Sequence, residues 1–444
     1  MIIRSLLAAL PALAGTASAL PAAALSLEDC VRLAVEKSPD LAVAAKRLDE
    51  SKAALRKTYA PFSPQGTFTA NQTQLGYDEL GILNKGNRWS PNTYNASVNA
   101  TWNVFNGFRD WDAWKGASFD AKSVAQTLEA VRHQLVLQTI QSYFGLLVAD
   151  RTIEAQKENL RSKKEHYELA DARFKAGVRS YSDVLNAQIE MKQSEIQLID
   201  DQTQRSTSLH ALNILLDQPL ETAVALVDSV DFSPVAENLD DSIALAFKLR
   251  PEVLAAEAQV GSAEAARNLA YHNFLPVVSV GGLYDYAVSG VPSENNLYAP
   301  TLNPYWQVNL GVSFPFWDGG TRVQEIKRSR AAVDENVENL RKVRRSVTAE
   351  VSTALLNVER NQKVYKIADD QVSEAREDLK IITERYKNGG AGFLEVVDAQ
   401  ALLLTSQLNA IQSLYNFHIA QYDLRRATGR DPLLNGSGET HEIR

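Results

Sequence analysis

Arg173-Phe174-Lys175-Ala176-Gly177-Val178-Arg179-Ser180-Tyr181-Ser182-Asp183-Val184-Leu185-Asn186-Ala187-Gln188 returns 212 residues later as Arg385-Tyr386-Lys387-Asn388-Gly389-Gly390-Ala391-Gly392-Phe393-Leu394-Glu395-Val396-Val397-Asp398-Ala399-Gln400. Each copy sets a glycine between two segments of helical periodicity, which predicts a tight reversal with Gly177 and Gly389 as C-terminal helix caps. The prolines support two long helical hairpins around these turns. None occurs between Pro91 and Pro219, or between Pro315 and Pro432, and proline is nearly excluded from helix interiors.

The repeat extends well beyond the reversals. Ser38-Pro39-Asp40-Leu41 matches Arg250-Pro251-Glu252-Val253, Pro64 matches Pro276, and Asn106-Gly107 matches Asp318-Gly319, all at the same offset of 212. A period this long is a duplication with two-fold pseudo-symmetry rather than a solenoid array. The first repeat is expected over 25–236 and the second over 237–430, followed by a polar tail, 431–444. Each half predicts a helix (Leu27 to about Tyr59; Leu239 to about Asn273), two extended segments, and a helical hairpin (111–215; 321–428). A helix of such an arm, about 111–175 or 321–387, would be ~95–100 Å long. In the last helix Val397, Ala401, Leu404, Leu408, Ile411, Tyr415, His418 and Tyr422 form a heptad seam, which asks for packing against another helix nearly parallel to it.

The extended segments, about 66–77, 94–105, 277–288 and 305–316, decide the fold class. Tyr94, Ala96, Val98, Ala100, Trp102 and Val104 alternate with Asn95, Ser97, Asn99, Thr101 and Asn103, and Trp306 to Phe316 repeats the pattern. Segment 277–288 is similar; 66–77 alternates poorly. Loops at about 78–93 and 289–304 are rich in turn residues. Strands of 10–12 residues, apolar on one face and small-polar on the other with aromatics near the ends, fit an outer-membrane barrel facing lipid outside and water inside; an ordinary half-buried sheet alternates in the same way. Four strands cannot close a barrel, and an open edge in lipid leaves backbone groups unsatisfied. Membrane-spanning strands therefore require oligomerisation: two chains give eight strands with a filled interior, three give twelve with room for a pore.

The N-terminus, Met1-Ile2-Ile3-Arg4 followed by an apolar run and small residues, reads as a secretory signal peptide, 1–24, cleaved after Ala19 or Ala24. No later apolar run is long enough for a transmembrane helix. The single cysteine, Cys30, precludes an intrachain disulfide; it reads as a half-buried helix residue, since Leu27-Glu28-Asp29 before it does not resemble a lipidation signal. Net charge is −8, which gives nucleic-acid binding no support. The histidines show no metal-ligand spacing, and no nucleophile triad or phosphate loop occurs, so no enzyme, cofactor or metal is expected.

These features together resemble the TolC family of outer-membrane efflux channels. The resemblance rests on the duplication, the Asn106-Gly107 and Asp318-Gly319-Gly320 turns, and the twin endings Asp183-Val184-Leu185-Asn186-Ala187-Gln188 and Glu395-Val396-Val397-Asp398-Ala399-Gln400. It covers about 25–430. It implies a homotrimer in the outer membrane, with four strands per protomer of a shared twelve-stranded β-barrel, and helical hairpins forming an α-barrel in the periplasm. It also implies an exit duct for efflux or type I secretion, served by a periplasmic adaptor and an inner-membrane pump of RND, ABC or MFS type.

The resemblance further implies a constriction lined by Glu395 and Asp398, whose spacing of three puts both on one helix face; threefold symmetry would make two rings of carboxylates favouring cations. Glu395 equally suits a helix-start cap, and Ser180-x-x-Asp183 reads as a capping box. Tyr386, Ser182 and Asp183 match the family's gate lock, whose arginine is replaced by Ala391; Arg179 is a candidate substitute. The exposed tips, Gly177, Val178, Arg179, Ser180, Gly389, Gly390, Ala391 and Gly392, match the adaptor-docking position. Trp111 and Trp114 suit either a membrane-interface anchor or packing of the strand-to-helix joint. The alternative function is a periplasmic coiled-coil structural or adaptor protein with a soluble sheet.

Overall fold

The computed structural model describes residues 24–74, 92–178, 180–228, 232–234, 237–292 and 298–432. The segment expected as a signal peptide, most of the first loop and most of the expected C-terminal tail lie outside them. The described elements, in order, are α1 (Leu27–Lys37), α2 (Pro39–Lys57), β1 (Gln65–Gln74), β2 (Asn92–Phe105), α3 (Arg109–Lys175), α4 (Tyr181–Leu215), α5 (Leu239–Leu249), α6 (Pro251–His272), β3 (Val277–Pro292), β4 (Tyr298–Ser313), α7 (Thr321–Lys387) and α8 (Phe393–Ala427). The duplication is visible in the element starts: 27 and 239, 39 and 251, 65 and 277, 109 and 321, 181 and 393 are each 212 apart. The chain divides into two compact units, one of 1–38, 135–235 and 357–422, the other of 39–134, 236–356 and 423–444.

The second unit holds a four-stranded antiparallel sheet in the order β1-β2-β3-β4. Its register aligns Phe68, Val98, Tyr284 and Trp306 in one row across all four strands. These side chains are exposed, Phe68 by 70% and Trp306 by 75%, as are Val308, Leu310 and Val312 along β4. The next row is Thr69, Ser97, Asp285 and Tyr305, and it belongs to the opposite face by the period of two. One face is thus apolar yet uncovered, and among the described residues neither β1 nor β4 has a strand beyond it.

Several sequence expectations need correction here. The expected single helix from Leu27 to Tyr59 is two helices, α1 and α2, and its repeat breaks between α5 and α6. Ser38 and Arg250 each precede a proline and are extended, with ψ of 122° and 124°, because proline clashes with a helical residue before it. The loop expected at 289–304 is mostly strand: β3 runs to Pro292 and β4 starts at Tyr298. Pro300 and Pro304 lie within β4, whose outer side has no partner strand among the described residues. β4 also stops at Ser313 rather than 316, two residues before Pro315, which has no N–H for a ladder.

At the strand-to-helix joint, Gly107 turns with φ +60°, and a Cβ there would meet Leu275 at 2.7 Å. Its repeat, Gly319, has φ +68°. The Asp318 carboxylate accepts from the Gly320 and Arg322 backbone N–H groups at 3.1 and 3.0 Å, so it caps α7 and holds its pKa below the ordinary value, chiefly through the Arg322 side chain. Trp114 Nε1 donates to the Tyr59 hydroxyl at 3.0 Å, which favours the packing role for this tryptophan; Trp111 stays exposed.

The first unit is helical. Ile140, Phe144, Leu146, Leu212, Val358 and Phe417 are buried in its core, as are Tyr415 and His418 of the heptad seam. Leu25 forms a parallel bridge with Leu226, and the Tyr143 hydroxyl donates to Val227 O at 2.5 Å. Asp228 accepts from Arg151 Nε at 2.7 Å and from the Tyr415 hydroxyl at 3.0 Å. This ties the segment between the two repeats to helices of both. Cys30 is fully buried, not half-buried, and burial pushes its thiol up to about 11.

Candidate functional site

Both hairpin tips lie in the first unit and make the same turn. Gly177 N–H donates to Phe174 O at 2.8 Å and Val178 N–H to Arg173 O at 2.9 Å; Gly389 N–H donates to Tyr386 O at 3.2 Å and Gly390 N–H to Arg385 O at 2.8 Å. This paired pattern is the Schellman cap, with its glycine left-handed; φ is +72° at Gly177 and +76° at Gly389. Gly177, Val178, Ser180, Gly389, Gly390 and Gly392 are exposed. Ala391 is not. It is 8% exposed and packs into the tip core, which corrects its expected place on the docking surface. Arg179 lies outside the described residues.

The return helices start differently. Ser180 occupies the N-cap position of α4, but its side chain makes no capping bond, so the expected capping box is absent. Asp183 is half-buried, Ser182 is exposed, and Asp183 N–H donates to Ser180 O at 3.2 Å. In the second repeat Glu395 Oε1 accepts from Gly392 N–H at 2.8 Å. Glu395 therefore acts as a cap, as a carboxylate at a positive helix end should, while remaining exposed. Asp398, one turn further along α8, is exposed as well.

Between the tips lies a shared apolar core. Tyr386, 3% exposed, is clustered with Ala391 and Val396; Phe393 and Leu169 pack against them. A second cluster joins Ala170, Val184 and Ala187, and Phe393 packs on this one too. Phe393 of the second hairpin thus bridges to the first. Arg173 adds a polar clamp, with its guanidinium 4.8 Å from the centre of the Tyr386 ring, a cation–π contact. Gln400 Nε2 donates to Ser162 Oγ at 2.6 Å.

Sequence reasoning brought out Tyr386 but missed Arg173. The only sequence signal was that its neighbour differs between the repeats, Phe174 against Tyr386. Arg173 and Arg385 occupy the same position, yet Arg385 turns back onto Gly390 O of its own tip at 3.2 Å. Phe174, the counterpart of Tyr386, packs instead against Tyr181, the rings tilted by 47° with centroids 5.2 Å apart. Nearby, burial holds the His166 pKa below its ordinary value. Among the described residues, no three His, Cys, Asp or Glu side chains are grouped to hold a metal.

A sheet with an uncovered apolar face and twin helical hairpins meeting at their tips define a channel-forming membrane protein of mixed α and β structure. The family model for outer membrane efflux proteins matches residues 30–217 and 243–430, once per repeat, and the chain belongs to that family. It is similar to nodulation protein T of Rhizobium leguminosarum bv. trifolii, 22% identical over 397 residues, covering 87% of this chain and 82% of the relative. It is also similar to outer membrane protein TolC of Vibrio cholerae, 21% identical over 411 residues and covering 91% and 90%. Among solved structures, CusC aligns with a TM-score of 0.79 at 18% identity, covering 91% of this chain and 92% of that one. The protein is accordingly an outer-membrane efflux channel, an exit duct rather than a periplasmic adaptor.

Proposed function

We propose that three copies of this chain close one twelve-stranded barrel in the outer membrane, and that the paired tips form its periplasmic gate. In the closed state Tyr386 and Arg173 hold the second hairpin against the first, and Ser182 and Asp183 at the start of α4 are further lock residues. Glu395 and Asp398 line the constriction as rings of carboxylates that admit cations more readily than anions. The observation that carries this reading is the shared tip core: an apolar joint sealed by one ring and one guanidinium, with the exposed acids Glu395 and Asp398 on the same helix start.

The trimer is supported by the two sheet edges, which have no partner strand among the described residues, and by the exposed row Phe68, Val98, Tyr284 and Trp306, since closure removes edges and lipid covers an apolar face. The docking partner is a periplasmic adaptor whose helical hairpin meets Gly177, Val178, Gly389, Gly390 and Gly392, with Arg179 and Ser180 adjoining. It connects the duct to an inner-membrane pump of RND, ABC or MFS type. Small tip residues allow close backbone approach. Gly390→Arg tests this: the variant is expected to remain a folded oligomer in the outer membrane and to lose efflux. Normal efflux by that variant would remove the tips from the docking surface.

A further inference from the structure

Asp285 is the only Asp, Glu, Lys, Arg or His among the four strands. It stands midway along β3 on the polar face, opposite Ser97 on β2 and Tyr305 on β4. Its neighbour Tyr284 belongs to the exposed apolar row. The carboxylate accepts from Asn95 Nδ2 at 2.8 Å, and the residue is only 7% exposed.

We propose that Asp285 sets the charge preference of the strand-built part of the channel, making it favour cations. The fold does not need the charge. A neutral asparagine of the same shape could keep the bond to Asn95, whereas an ionised carboxylate carries a desolvation cost that such an amide avoids. Ionisable residues at membrane depth are costly and mark ion pathways, and here the small polar face supplies the pathway. This inference rests on the trimeric barrel proposed above, in which the polar face turns inward and the carboxylate occurs three times around one axis.

The size of the effect follows from Coulomb's law. Three charges on the order of 10 Å from the axis, in water and screened at physiological salt, shift the cation-to-anion permeability ratio roughly threefold. At about 0.01 M salt, where the screening length is roughly 30 Å, the shift rises to about tenfold or more.

The test is the reversal potential of the purified protein in planar bilayers under a potassium chloride gradient. The Glu395→Gln, Asp398→Asn background is used so that the tip acids no longer contribute. In that background the channel is expected to remain cation-preferring, Asp285→Asn to lose the preference, and Asp285→Glu to retain it. An unchanged reversal potential in Asp285→Asn overturns the assignment while leaving the channel reading intact. Absence of any conductance in both wild type and background overturns the channel reading itself, and the assignment with it.

Discussion

Replacing Arg173 by leucine removes the guanidinium from the Tyr386 ring, 4.8 Å away, while keeping most of the apolar stem. Tyr386 is nearly fully buried, so the ring face is largely shielded from water, and the contact is worth about 1 kcal/mol, between the exposed and desolvated limits. In a trimer that opens in one concerted step the loss is counted three times, about 3 kcal/mol. At about 1.4 kcal/mol per tenfold, the closed-to-open ratio should fall roughly a hundredfold. Phe393, which packs on both tip clusters, is untouched, so the oligomer should still assemble and melt at nearly the same temperature. Single-channel recording checks this: Arg173→Leu should open far more often than wild type, with Arg173→Lys in between. An open probability equal to wild type, in a variant shown to be an intact oligomer, would refute the view that this clamp holds the gate.

Three further outcomes follow from the same geometry. Leu310→Arg, on the exposed apolar face, should destabilise the membrane-inserted form by about 2–4 kcal/mol and deplete the heat-sensitive oligomer from outer-membrane fractions, while Gln307→Arg, on the other face, should be tolerated. Gly389→Ala puts a side chain at φ +76° and should cost about 1–2 kcal/mol by thermal melting; Gly390→Ala, whose added carbon would meet only Arg385 O at 3.6 Å, should be nearly silent. His166 is held below its ordinary pKa by burial, so the unfolded chain takes up a proton more readily than the folded one. Its stabilising contribution is present above about pH 6.5 and lost as pH falls below that, and His166→Gln should melt with a flatter dependence between pH 7.5 and 5.

Much of this architecture was legible because the duplication marks its own joints. Gly177 and Gly389 announce the reversals since few other residues accept a left-handed helix end, and strict alternation in 94–105 announces a strand whose two faces differ. Length was read less well where one residue has two roles. Pro39 and Pro251 were visible, but proline also fits the first turn of a new helix, so a broken pair looked like one continuous helix. Pro300 and Pro304 looked like loop signals because sequence does not say which strand lies at an edge.

The tip residues divide along the same line. Glu395 could be placed from its distance to Gly392, a local relation that a capping box makes readable. The burial of Ala391 and the reach of Arg173 to Tyr386 depend on how two hairpins 212 residues apart pack together. No local pattern encodes that, apart from the hint that Arg173 and Arg385 have different neighbours.

The most direct test of the central claim is conductance of the purified, mild-detergent oligomer in planar lipid bilayers, with its stoichiometry determined on the same sample. The expected result is a trimer that inserts and carries discrete, cation-preferring current, low in wild type and raised in Arg173→Leu. A protein that stays monomeric, or a trimer that inserts and passes no current even with the tip clamp removed, would contradict it.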